Sequence, residues 1–160
     1  MSGTVREVER QLAAIRRGAA DIVPEDQLRD KIARSLKEGR PLRVKLGLDP
    51  TAPDIHVGNA VPLHKLRTFQ DLGHHAVLII GDYTATVGDP SEANDTRPQL
   101  SHDQVMAHAK TYLDQVGKIV DLDEAEVVMN GDWFGKMSFA DVIALASRPV
   151  SYTHLTLPTN

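Results

Sequence analysis

The chain predicts an α/β fold: the first half of a doubly wound parallel sheet, preceded by two helices. Three observations carry this. Two short apolar runs, Pro41–Leu46 and His75–Gly81, are each followed by a polar, Gly- and Pro-bearing loop and then by a helical pattern. A third run, Glu124–Met129, follows the second helix. Strand, helix, strand, helix, strand, helix with right-handed crossovers orders the strands 3-2-1 and places ligands beyond their carboxyl ends.

The elements follow in order. Residues 4–18 carry Val5, Val8, Leu12 and Ile15 as one apolar stripe, and Arg16-Arg17-Gly18 supplies the cations and glycine that end a helix. Pro24-Glu25-Asp26 opens a second helix through about Glu38, with Leu28, Ile32 and Leu36 inward and Gly39 after it. Arg29, Lys31, Arg34 and Lys37 on this helix read as a solvated face, with a small phosphate patch as the alternative. Pro41-Leu42-Arg43-Val44-Lys45-Leu46 alternates apolar and basic residues as a half-buried strand does. Asp49 to Asp54 holds two prolines and forms a loop. A helix opens near Gly58, with Val61, Leu63, Leu66, Phe69 and Leu72 on its stripe. His75–Gly81 is continuously apolar and suits a central strand covered on both faces. The loop from Asp82 to Leu100 is long and polar, as functional loops are. Ser101-His102-Asp103-Gln104 is a capping box that opens a helix bearing Val105, Ala109, Tyr112, Val116 and Ile119. Ser138 caps a last helix, Phe139 to Ala146.

Composition narrows the function classes. At 160 residues the chain is one domain or part of one, with 41% hydrophobic and 25% charged residues. The absence of cysteine excludes a disulfide framework, a zinc–thiolate site and a thiol nucleophile. A net charge of −4 argues against a whole-surface grip on nucleic acid, DNA included, while leaving room for a local basic patch. No apolar run has the length of a membrane span, and Glu7 and Glu9 are unlike a leader sequence, so a cytoplasmic location is expected.

The stretch Lys45–Gly58 carries the chemistry. A strand, a polar turn and a helix N-terminus make a cradle for an anion, because the helix begins with unpaired N–H groups and a partial positive charge. His56-Val57-Gly58-Asn59 sets side-chain donors beside those groups, and Gly58 lets a ligand approach the backbone. His56 alone reads as an ordinary loop histidine; the surrounding loop turns the balance toward phosphate binding.

Gly47-Leu48-Asp49-Pro50-Thr51-Ala52-Pro53-Asp54-Ile55-His56-Val57-Gly58-Asn59 resembles the signature loop of the class I aminoacyl-tRNA synthetases, and among them of the bacterial tyrosyl-tRNA synthetases. The likeness continues through Gly81–Ser91, Thr96-Arg97-Pro98 and Phe139–Ile143, to about Arg148. It implies a Rossmann-like catalytic domain in which tyrosine is activated by ATP, with Mg2+, and transferred to tRNA(Tyr), in a homodimeric protein. It further implies Thr51, His56 and Asn59 as the catalytic set, with Asn59 where many relatives carry a second histidine; an amide still donates a hydrogen bond but cannot become a cation. Gly47, Asp49, Gly58 and Arg97 would hold the nucleotide, and Asp49, Thr84 and Asp89 the amino-acid substrate. No metal site held by side chains is expected, since His64, His74, His75 and His108 share no spacing with carboxylates and read as surface residues. Trp133 and Phe134 read as packing.

Two segments depart from the family pattern. Glu92-Ala93-Asn94-Asp95 stands where relatives usually carry Gly-Arg-Ser-Lys, which removes positive charge from that loop. Lys136-Met137-Ser138 is not the family's Lys-Met-Ser-Lys-Ser loop, which belongs after the second half of the fold. The expected organisation is 1–40, two helices; 41–148, the first half of the catalytic domain; and 149–160, a tail similar to the translation of a sequencing-library adapter and set aside from the fold. On this reading the chain is an N-terminal fragment, not competent alone, with strand one as an edge bearing uncovered apolar side chains. The competing functions are another nucleotidylyltransferase with the same His-x-Gly-x loop, and a non-catalytic nucleotide- or RNA-binding module.

Overall fold

The computed structural model describes residues 3–87 and 100–147. Two helices, α1 (Gly3–Arg16) and α2 (Glu25–Glu38), precede β1 (Arg43–Leu48), α3 (Val57–Asp71), β2 (His75–Ile80), a 3-10 turn (Thr84–Thr86), α4 (His102–Val116), β3 (Glu126–Met129), the short α5 (Gly131–Phe134) and α6 (Phe139–Ala146). The three strands form one parallel sheet in the order β1-β2-β3, the order expected from the sequence.

Both crossover helices lie over one face of this sheet. Leu63 and Leu66 of α3 and Val116 of α4 join Leu48, Ala76 and Leu78 in a single cluster, with Val44 and Leu46 packed against it. Helices α1 and α2 pack outside α3, where Val8, Leu12, Ile15 and Ile32 enclose Phe69. Leu12 and Ile32 are fully buried. Val5 and Val61, counted on apolar stripes by spacing, are exposed instead: Val5 sits in the first turn of α1, and Val61 lies about 200° around α3 from the buried Leu63.

The other face of the sheet is polar at its rim. Register places Arg43 beside His75 and Lys45 beside Val77, which is followed across the sheet by Glu126 of β3, and an Arg43–Glu126 ion pair spans the three strands. β1 is the outer strand, but its apolar residues are not uncovered as expected: Val44 and Leu46 are half-buried and Leu48 is buried, while Arg43, Lys45 and Gly47 face outward. The alternation of basic and apolar residues is the cause. Among the helices α6 exposes a set of apolar residues, Phe139, Val142, Ile143 and Leu145.

Candidate active site at the carboxyl ends of the strands

The loop after β1 delivers His56 to the start of α3. The residue adopts extended backbone angles and serves as the N-cap: its Nδ1 accepts the Gly58 N–H at 3.0 Å, while Asn59 Oδ1 accepts the His56 N–H at 3.1 Å. This corrects the expectation that the first helical N–H groups stand open to an anion. One is already taken by the imidazole, which replaces the usual Ser or Asp cap. An acceptor at Nδ1 leaves the proton of the neutral ring on Nε2, so the exposed His56 presents a donor outward. Asn59, with Oδ1 engaged, likewise keeps its Nδ2 donors available. Gly58 owes its identity to this cap, because a Cβ there would lie 2.8 Å from His56 Cε1.

A second group of polar residues links the ends of all three strands. Thr84 Oγ1, after β2, donates to Asp49 Oδ1, after β1, at 2.9 Å. Asn130, after β3, donates from Nδ2 to Thr84 Oγ1 at 2.9 Å and accepts the Tyr83 N–H at 2.9 Å. Asp82 Oδ1 accepts the Gly131 N–H at 2.7 Å. Gly81 makes room for the tie, since a Cβ there would fall 1.7 Å from Asp49 Oδ1 and 2.5 Å from Thr84 Oγ1. Buried polar groups joined this way rigidify a site. Asp82 and Asn130 are buried and were not foreseen from the sequence. The signal existed: Gly81-Asp82 and Asn130-Gly131 each punctuate the end of an apolar run, and both read locally as turns.

The remaining expected residues divide. Gly47 lies on the open face of β1 and is exposed, as is Thr51, whose N–H closes a turn onto Asp49 O at 2.9 Å. Asp89, Arg97 and the segment Glu92–Asp95 lie outside the described residues, as does the tail 149–160. Behind the loop, Tyr112 of α4 is buried, and its hydroxyl pKa is raised first by burial and then by the nearby Asp49 and Asp54. Among the described residues no three His, Cys, Asp or Glu side chains cluster as a metal site.

Two histidines were misplaced by sequence reasoning. His74 is buried: Nδ1 accepts the Leu42 N–H at 3.4 Å and Nε2 meets Gln11 Oε1 at 3.0 Å. His108 is half-buried, with Nδ1 3.2 Å from Pro50 O. In both cases the partners, Leu42 and Gln11 for His74 and Pro50 for His108, lie far along the chain, where linear spacing cannot reveal them. Phe134 packs against Tyr83 and Trp133 at ring-centroid distances of 5.8 Å, whereas Trp133 itself is 40% exposed.

A parallel sheet with polar loops meeting beyond its strand ends, next to a helix capped by a His-x-Gly-Asn turn, is the arrangement of a class I nucleotide-activating domain. The family model described as tRNA synthetases class I (W and Y) matches residues 37–156, and the chain belongs to that family. It is 56% identical over 144 residues to a tyrosine–tRNA ligase of Carboxydothermus hydrogenoformans, covering 90% of this chain and 35% of that protein. The corresponding enzyme of Moorella thermoacetica is 52% identical over 143 residues, covering 89% and 35%. The chain therefore spans about a third of the length of these relatives. Among solved structures, the tyrosyl-tRNA synthetase of Archaeoglobus fulgidus complexed with L-tyrosine superposes with a TM-score of 0.69 at 20% identity, over 89% of this chain and 41% of that one. That of Aeropyrum pernix gives 0.67 at 18%, over 91% and 42%. These likenesses establish the Rossmann-like α/β fold expected from the sequence. Among the described residues no helix is long and apolar enough to cross a membrane.

Proposed function

We propose that this chain supplies the phosphate-binding half of a tyrosine–tRNA ligase. In the whole protein, a carboxylate oxygen of tyrosine attacks the α-phosphorus of ATP, the bond to the bridging oxygen breaks, and pyrophosphate leaves. The tRNA(Tyr) 3′-terminal hydroxyl then attacks the tyrosyl carbonyl and releases AMP. No covalent nucleophile on the protein is needed, only positioning and stabilisation of developing negative charge. Thr51, His56 through Nε2–H, and Asn59 through Nδ2 are the proposed donors to the phosphates. Gly47, Asp49 and Gly58 line the nucleotide. Asp49 and Thr84 form the wall toward the amino-acid substrate, with Asp89 for its amino group and Arg97 for pyrophosphate. Mg2+ enters with ATP. The proposed division is 1–40 as supporting helices and 41–148 as the catalytic half, in a cytoplasmic homodimer when the protein is whole.

The observation that carries this reading is the junction of two loops. The Thr84–Asp49 hydrogen bond ties the loop after β2 to the loop that ends in the His56 cap. The test is a chimera in which residues 1–147 replace the equivalent part of the Carboxydothermus relative. Tyrosine-dependent pyrophosphate exchange is expected, and His56→Ala should lower its kcat by about 10²–10³-fold, the usual effect of removing one preorganised donor. Exchange that depends on a substrate other than tyrosine would point to a different nucleotidylyltransferase, and ATP binding without exchange to a binding module.

A further inference from the structure

The loop Asp49–Ile55 holds Pro50 and Pro53 and runs between β1 and α3 with no strand beside it. One stripe of α4, His108, Thr111 and Gln115, takes the place of a neighbouring strand. His108 reaches Pro50 O, and Thr111 Oγ1 donates to Pro53 O at 2.7 Å. Gln115 does more than either. Its Oε1 accepts the Ile55 N–H at 3.1 Å, while its Nε2 lies 3.1 Å from Pro53 O and 3.3 Å from Asp54 Oδ1. One planar carboxamide thus offers an acceptor and a donor to backbone groups two residues apart, as an adjacent strand would.

We infer that Gln115 is a positioning residue for the candidate active site: its carboxamide brackets Pro53 and Ile55 and so sets the geometry in which His56 caps α3 and faces a phosphate. The inference rests on the reading of that loop as a nucleotide site. Ile55 packs against the core cluster that holds Leu63 and Leu66, and His56 follows it directly, so a shift at Ile55 moves the imidazole. No other amide-bearing or acidic residue can substitute. Asn falls one methylene short, Glu keeps the acceptor but loses the donor, and Met keeps the length with neither.

The test uses the 160-residue chain, with ATP as the ligand in calorimetry and amide hydrogen exchange as the probe of the bracket. Gln115→Met and Gln115→Asn should each speed exchange at the Ile55 amide about tenfold, the effect of losing one net hydrogen bond. The Leu66 amide, deep in α3, should be unaffected, and ATP affinity should fall about 5–10-fold. Gln115→Glu keeps an acceptor for the Ile55 N–H but sets its second carboxylate oxygen against Pro53 O and Asp54 Oδ1, so it should lower ATP affinity as the other two variants do. Helix packing alone would not separate the Ile55 and Leu66 amides. Unchanged Ile55 exchange in both variants overturns the inference, and so does faster Ile55 exchange with unchanged ATP affinity. Wild-type binding that His56→Ala weakens and the Gln115 variants leave intact rejects the positioning role alone. A wild-type chain that does not bind ATP rejects the site reading and the inference with it.

Discussion

The two ends of the sheet use the same residue types for opposite purposes. At the amino ends of the strands, His74 is buried with both ring nitrogens engaged. It joins Leu42, just before β1, to Gln11 of α1, and Gln11 in turn donates to Glu7 at 3.0 Å. At the carboxyl ends, His56 is exposed with one nitrogen engaged by its own helix and the other turned outward. The first arrangement bolts the N-terminal helices to the sheet. The second holds a donor in place without using it up. What separates the structural His74 from His56, the proposed phosphate donor, is the number of ring nitrogens already satisfied within the fold.

His74→Ala should produce the largest loss of stability. It removes a buried ring and leaves the Leu42 N–H and Gln11 Oε1 without partners, although Gln11 Nε2 keeps its bond to Glu7, at a cost of about 2–4 kcal/mol. Urea unfolding reads this directly, and ATP affinity of the folded fraction should not change. Gly81→Ala comes next. The new Cβ overlaps Asp49 Oδ1, so Asp49 must swing away from Thr84, with a cost of about 1–3 kcal/mol typical of overpacking. Unlike His74→Ala, this change should also weaken ATP binding, because the loop tie is lost. His56→Ala should cost only about 1 kcal/mol, the value of a helix cap, while lowering ATP affinity most of all. If His56→Ala proved the more destabilising of the two histidine changes, or His74→Ala the more damaging to ATP binding, the contrast between the two ends would be wrong.

Much of this was legible in the sequence because local chemistry decided it. Ser101-His102-Asp103-Gln104 and Ser138 cap helices as read, Gly39 ends α2 in a left-handed turn at φ 63°, and the strand order follows from right-handed crossovers with both helices on one face. The position of His56 at a strand-to-helix junction was legible too, though its capping role was not: histidine is a rare cap, and Ser, Thr, Asp or Asn is the usual signal. Asn130 and Gln115 were missed for a different reason. Their partners lie far along the chain, Thr84 for Asn130 and Pro53 and Ile55 for Gln115, and no periodicity within a helix or strand encodes a hydrogen bond across three elements. His74 immediately precedes His75, the first residue of β2, and its burial comes from partners distant in sequence, Leu42 before β1 and Gln11 on α1.

The smallest expected effect concerns pH, and it sharpens the account of the amino end. Burial holds His74 below the ordinary histidine value of 6.5, so the folded chain resists a proton that the unfolded chain accepts. Stability therefore falls as pH drops below about 6.5, and the loss continues until the folded ring itself protonates. Protonation would also turn Nδ1 from an acceptor into a donor facing the Leu42 N–H, which breaks the bolt. Glu7 adds a separate window. The Arg10 hydrogen bond, followed by that of Gln11, holds its carboxyl at about 2 against 4.5, so its contribution is present above pH 4.5 and is lost as pH falls toward 2. Because Glu7 sits at the surface, solvent screening keeps that second contribution small. The urea midpoint of the wild-type chain should decline between pH 7 and pH 5, and His74→Gln should flatten that decline while Glu7→Gln leaves it in place. Parallel declines in wild type and His74→Gln would mean that some other group titrates there, and that His74 holds the layers together by packing rather than by its two hydrogen bonds.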